Sequence, residues 1–104
     1  MKLSIIIPAY NEEGSIEKTI KEIYNILVNE KIQHEILVVN DKSSDKTLEL
    51  LEFLSKEIKT LKYYTNPGPN GFGFAIRYGL DKFSGDCVAI MMADLSDSPN
   101  DLVL

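Results

Sequence analysis

Three places along the chain gather side chains able to bind ligands or do chemistry, and each directly follows an apolar run. The first is Pro8-Ala9-Tyr10-Asn11-Glu12-Glu13, the second Asn40-Asp41-Lys42-Ser43-Ser44-Asp45, the third Ala93-Asp94-Leu95-Ser96-Asp97. Asn, Asp and Ser favour turns and helix starts on their own account, because their side chains bond nearby backbone N–H groups. Brought together on one rim, however, these carboxylates repel unless a cation or a donor-rich ligand neutralises them. A hard divalent cation with oxygen ligands, carrying a diphosphate, meets that need.

The intervening segments are of two alternating kinds. Leu3-Ser4-Ile5-Ile6-Ile7 and Ile36-Leu37-Val38-Val39 are short β-branched runs that read as strands buried on both faces, with Pro8 ending the first. Leu61 to Thr65 alternates and reads as a third strand, and Cys87 to Met92 as a fourth, buried one. Ile16, Ile20, Ile23 and Leu27 form one stripe of a helix that Ser15 can cap. Leu48, Leu51 and Leu54 mark a second helix starting near Ser44 or Asp45. Phe72, Ile76, Leu80 and Phe83 mark a third, after the breaker run Asn66-Pro67-Gly68-Pro69-Asn70-Gly71. The order β-α-β-α-β-α-β predicts a mostly parallel sheet with flanking helices and right-handed crossovers. Ligands of such sheets sit at the carboxyl ends of the strands, near the point where strand order reverses. All three polar clusters fall at predicted carboxyl ends.

Composition narrows the choices. The chain has 104 residues, 44% hydrophobic and 26% charged, which suits one globular domain. Eleven Lys and Arg against 16 Asp and Glu give a net charge of −5, which argues against a nucleic-acid partner. A single cysteine excludes an intramolecular disulfide and a cysteine-based zinc site. No apolar run approaches the roughly 20 residues of a membrane span, and Leu3 to Ile7 is too short for a signal-peptide core, so the cytoplasm is the expected location. A glycine-rich dinucleotide loop is missing after the first strand, and no Walker lysine follows a glycine loop. A bound nucleotide would therefore be gripped by side chains at strand ends.

Taken in order, Ile5 to Glu13, Val38 to Thr47, Asn70-Gly71 to Gly79 and Met92-Ala93-Asp94-Leu95-Ser96 resemble the motifs of family 2 glycosyltransferases. Within that family they are most similar to the dolichol- or polyprenyl-phosphate sugar transferases. The resemblance covers essentially the whole chain. It implies a Rossmann-like GT-A fold, with residues 1–104 forming its nucleotide-sugar-binding half. It implies an inverting transfer from a nucleotide-diphospho-sugar to an acceptor hydroxyl or a lipid phosphate, with the general base and acceptor pocket in the half that follows. By the same resemblance Pro8, Ala9, Tyr10 and Glu12 line the base and ribose pocket with Asn40, and Asp41 accepts hydrogen bonds from the base. Asp94 holds Mg²⁺ or Mn²⁺ against the diphosphate. A longer protein of this type can associate with the cytoplasmic face of a membrane. A terminal strand left at an open edge makes self-association of the 104-residue chain expected.

Two positions depart from the family pattern. Asn40 replaces the first acid of an Asp-Asp pair, and Met92 the first acid of Asp-x-Asp. A thioether is a poor ligand for a hard cation, so either Ser96 or Asp97 with waters completes the site beside Asp94, which is the favoured expectation, or metal dependence is weakened. Gly71 and Gly73 can open backbone N–H groups to a nucleotide, and Arg77, the only arginine, suits phosphate. Gly79 reads as a close-packing position on the sheet, and His34 as a solvated surface residue. Cys87 reads as a small core side chain, and of Tyr63 and Tyr64 one is expected to pack inward and one to face out. Two other readings stand beside the transferase. One is a receiver-like Mg²⁺-binding module, whose acidic pair would follow strand one and whose phosphorylated Asp would follow strand three, unlike this chain. The other is a noncatalytic nucleotide-binding homologue, kept open by Met92.

Overall fold

The computed structural model describes residues 2–93. Its elements follow the expected order: β1 Leu3–Ala9, α1 Ile16–Asn29, β2 His34–Asn40, α2 Thr47–Glu57, β3 Leu61–Thr65, α3 Phe72–Lys82 and β4 Cys87–Ile90. The strands form one parallel sheet in the order β3-β2-β1-β4. Successive crossovers step from β1 to β3 in one direction, and α3 then carries the chain back past β1, so strand order reverses between β1 and β4. No helix among the described residues is long and apolar enough to cross a membrane.

Both faces of the two inner strands are covered, which explains their uninterrupted apolar sequence. Ile5, Ile7, Ile36 and Val38 pack with Ile16, Ile20, Ile23 and Leu27 of α1 and with Leu51 and Leu54 of α2. On the opposite face Leu37 and Val39 meet Ala75, flanked by Tyr64, Tyr78 and Phe83. The covering of two faces also corrects the expectation for the tyrosine pair. Tyr63 packs on the first cluster and Tyr64 on the second, so neither points wholly outward.

Several local expectations need correction. Pro8 lies inside β1, opposite Val39. Ile6 O accepts from Met91 N and Ala9 O accepts from Asp41 N, so the even-numbered residues of β1 turn their backbone groups toward β4. Proline's missing N–H therefore falls on the β4 side, where pairing stops at Ile6↔Ile90. The third helix is rotated from its apolar pattern. Ala75 and Gly79 face the sheet, and Leu80 stays 41% exposed. A Cβ on Gly79 would lie 2.8 Å from Ile6 Cγ2, so the small residues let the helix sit close, as expected of Gly79. In α2 the buried face is Thr47, Leu51 and Leu54, whereas Leu48 is exposed. Ser15 sits at the N-cap of α1 without a side-chain capping bond.

His34 is buried, not solvated: Nδ1 lies 2.9 Å from Ile32 O, Nε2 lies 2.9 Å from Thr60 Oγ1, and its ring meets Tyr24 edge-on. Strand β4 ends at Ile90 and is largely exposed, Cys87 included, because it pairs with β1 alone and α3 covers β1 and β2 instead.

Candidate functional site

A cavity of about 450 Å³ opens at the carboxyl end of the sheet, at the point of strand reversal. The end of β1 lines it with Pro8, Ala9 and Tyr10, and the following loop adds Glu12. Across from them stand Asp41 after β2, Asn70 and Gly71 before α3, Ala75 on α3, and Met92 after β4.

The loops after β1 and β2 hold each other in place. Asn11 and Lys42 both take left-handed backbone conformations, with φ of 52° and 58°. Asn11 N donates to Ser43 Oγ at 3.0 Å, and Ser44 N donates back to Asn11 Oδ1 at 2.8 Å. Glu12 N donates to Thr47 Oγ1 at 2.8 Å and Glu13 N to Asp45 Oδ2 at 3.2 Å. Asp45 Oδ1 accepts from Thr47 N at 2.9 Å, so this carboxylate joins the start of α2 to the loop after β1. Partial burial alone raises the Asp45 pKa, but bonds from the Thr47 hydroxyl and the Thr47 and Glu13 N–H groups outweigh it and hold the carboxyl below its ordinary range. The turn chemistry of Asn, Asp and Ser is thus real, and its product is a rigid mount for Tyr10, Glu12 and Asp41.

Tyr10 is 52% exposed and lines the cavity. Asp41 is 6% exposed; its Oδ1 accepts from Asn66 Nδ2 at 3.0 Å and its Oδ2 from Gly71 N at 2.7 Å. Next to the lining residue Met92, the Ala93 carbonyl accepts from Thr19 Oγ1 at 2.7 Å and Ser15 Oγ at 3.2 Å, which ties the exit of β4 to α1. Ser15 Oγ also lies 3.1 Å from Glu12 Oε2, linking that tie to the cavity wall.

Pro8, Ala9, Tyr10, Glu12, Asp41 and Gly71, all singled out from sequence, meet around this one space. Asn40 lies beneath it, buried, with Oδ1 accepting from Ser43 N at 3.1 Å. Arg77 is exposed on α3 and is not among the lining residues. Asp94, Ser96 and Asp97 lie outside the described residues. Ala75, Asn70 and Asn66 were not read as site residues. Ala75 carried a signal in its spacing of four from Gly79, a small-residue face that the larger apolar period obscured.

Among the described residues no three His, Cys, Asp or Glu side chains converge as metal ligands. Two carboxylates, Glu12 and Asp41, border the cavity, and the β4 exit contributes the Met92 thioether, unsuited to a hard cation. The described residues alone do not make a metal centre.

A parallel sheet covered on both faces, with a cavity at its switch point lined by a tyrosine and carboxylates, is a Rossmann-like α/β arrangement. The chain belongs to glycosyl transferase family 2, whose family model matches residues 4–103. A dolichol-phosphate mannosyltransferase of Pyrococcus furiosus is 36% identical over 99 residues, covering 95% of this chain and 27% of that protein. Among solved structures, the mannosyltransferase PcManGT of Pyrobaculum calidifontis, in complex with GDP-Man and Mn²⁺, superposes with a TM-score of 0.77. It is 26% identical, with 88% of this chain and 27% of that one covered. TarS of S. aureus in complex with UDP-GlcNAc gives 0.65 at 31% identity, covering 90% of this chain and 27% of that one. The chain spans about three tenths of the length of the curated relatives it matches.

Proposed function

We propose that this chain is the donor-binding part of an inverting glycosyltransferase that uses a nucleotide-diphospho-sugar. The observation that carries the reading is the chemistry of the cavity wall. It combines a stacking ring on Tyr10 with the acceptor carboxylates of Asp41 and Glu12, and among the described residues none of its lining side chains is a lysine or arginine. Such a wall suits the nucleoside part of a donor: the ring offers a stacking face and a carboxylate pairs with base N–H groups. It does not suit the phosphates. Their charge calls for a divalent cation, Mg²⁺ or Mn²⁺, which we assign to Asp94 with Ser96 and Asp97. The Mn²⁺ and GDP-Man of the Pyrobaculum enzyme support that assignment.

When bound, the cation offsets charge on the departing diphosphate. The chain's own residues bind and orient: Pro8 and Ala9 form the floor, Tyr10 and Asp41 hold the nucleoside, and Gly71 brings backbone close to it. Domain 1–104 is the nucleotide-sugar-binding half of a transferase acting at the cytoplasmic face of a membrane on a hydroxyl or polyprenyl-phosphate acceptor; the dolichol-phosphate in the name of the Pyrococcus relative supports the lipid-phosphate alternative. By itself the 104-residue chain binds donor without turnover, and it self-associates through the exposed edge of β4. Met92 in the wall favours one further reading, a nucleotide-binding homologue without transfer, which a turnover assay on the longest natural chain separates from the first.

The test is a thermal-shift panel of UDP-, GDP- and dTDP-sugars with and without Mn²⁺. One nucleotide class should raise the Tm, and more so with Mn²⁺. No rise with any of them would remove the donor-binding reading.

A further inference from the structure

The breaker run 66–71 has served so far as a loop into α3, yet its first residue is buried as deeply as the core. Asn66 is 3% exposed and uses nearly every hydrogen-bonding group it has. Its backbone N–H donates to Asn40 O at 2.9 Å, extending the pairing of β2 with β3. Its Oδ1 accepts from Gly68 N at 3.1 Å, the ordinary bond of an Asx turn. Its Nδ2 donates to Pro69 O at 2.9 Å and to Asp41 Oδ1 at 3.0 Å. These partners also settle which side-chain atom is nitrogen, since an N–H and a carboxylate need opposite partners. Turn formation requires the Gly68 bond alone. The bond to Asp41, 25 residues away in sequence, is surplus to it and lands on a carboxylate of the cavity wall.

We propose that Asn66 is a positioning residue. Together with the Gly71 N–H it fixes the rotation of the Asp41 carboxylate, so that its remaining lone pairs form a preset acceptor face for the N–H edge of a nucleobase. This rests on the reading of the cavity as a nucleoside pocket. One donor on each oxygen removes the rotational freedom of the carboxylate before the ligand arrives, and that freedom need not then be lost on binding. Asn66 touches no ligand in this scheme; its effect passes through Asp41.

Asn66→Asp tests it, because the variant keeps size and the Gly68 acceptor while replacing the donor toward Asp41 with an oxygen. Wild type and variant are titrated calorimetrically with UDP, GDP and inorganic pyrophosphate at saturating Mn²⁺. The nucleotide that wild type binds should bind the variant about ten- to a hundredfold more weakly, the range of a hydrogen bond to a charged group. Pyrophosphate binding should be unchanged. In an Asp41→Ala background the same substitution should add no further loss, and that comparison decides if pyrophosphate gives no heat. Wild-type-like nucleotide affinity in the variant, or equal losses for nucleotide and pyrophosphate, overturns the proposal, the second outcome marking a loop scaffold only. Should Asn66→Asp fail to fold, Asn66→Ser is read on the same panel. Failure of wild type to bind UDP, GDP and, titrated in the same way, dTDP would sink the nucleoside pocket and this inference together, whereas a binding wild type with an indifferent variant sinks this inference alone.

Discussion

Glu35 lies near the amino end of β2, away from the cavity, and is 2% exposed. Its Oε2 accepts from Ser4 Oγ and from Ser84 N, both at 2.6 Å. Its Oε1 makes no hydrogen bond and is neutralised by Lys62 Nζ at 3.4 Å and Lys2 Nζ at 4.0 Å. Burial alone raises the pKa of this carboxyl. The bonds from Ser4 and Ser84 and the charge of Lys2 outweigh it, taking the pKa from 4.5 down to about 2. Because the folded value lies below the unfolded one, the ionised form stabilises the fold. That contribution is complete above about pH 4.5 and is lost as pH falls toward 2. The shift corresponds to about 3 kcal/mol, at 1.36 kcal/mol per pKa unit. Glu35→Gln keeps the shape but imitates the protonated state. Urea unfolding of both proteins from pH 7 to pH 2 should show the variant less stable by about 3 kcal/mol at neutral pH. The two curves should converge below pH 4.5 as wild type loses what the variant never had. Parallel curves over the whole range would show that the carboxylate network does not carry this energy.

Other consequences follow from the packing and the loops. Gly79→Ala should lower stability by about 1–3 kcal/mol in urea unfolding despite its gain in helix propensity, because the new Cβ meets Ile6 and Val39 of the sheet. Asn11→Ala should cost about 1–2 kcal/mol, losing the Ser44 N–H acceptor and placing alanine at positive φ, and should weaken nucleotide binding in parallel. Thr47→Ala should be milder in stability, about 1 kcal/mol, yet should speed hydrogen exchange at the Glu12 amide, which loses its acceptor. Asp41→Ala should reduce nucleotide affinity at least as far as Asn66→Asp does, measured by the same titration.

The inner sheet was legible because β1 and β2 are covered on both faces, and uninterrupted Ile and Val are what that environment selects. The site was legible for a related reason: an alternating α/β order puts successive strand ends on one rim, so Tyr10, Glu12 and Asp41 had to approach one another. What escaped depends on partners distant in sequence. Glu35 directly precedes the apolar run Ile36 to Val39, and nothing local announces that Ser84 and Lys62 come to meet it. His34 was likewise hidden by its polar neighbours, although Thr60 and Tyr24 enclose it. The sequence hides the rotation of α3 because Phe72, Ile76, Leu80 and Phe83 outweigh Ala75 and Gly79 in hydrophobicity. Close approach to a sheet selects for small size instead. Asn66 looked like turn chemistry, and it is, with a second bond that only the fold supplies.

In the proposed function, the cavity between β1, β2 and α3 receives the nucleoside of a sugar nucleotide. Backbone ¹⁵N–¹H spectra of the chain, titrated with UDP and GDP in the presence of Mg²⁺, test it most directly. With one of the two nucleotides, shifts should concentrate on the amides of Ala9, Tyr10, Glu12, Asp41 and Gly71 and leave those of α1 beyond Ile20 unmoved. No shifts with either nucleotide, or shifts centred away from this rim, would contradict the account.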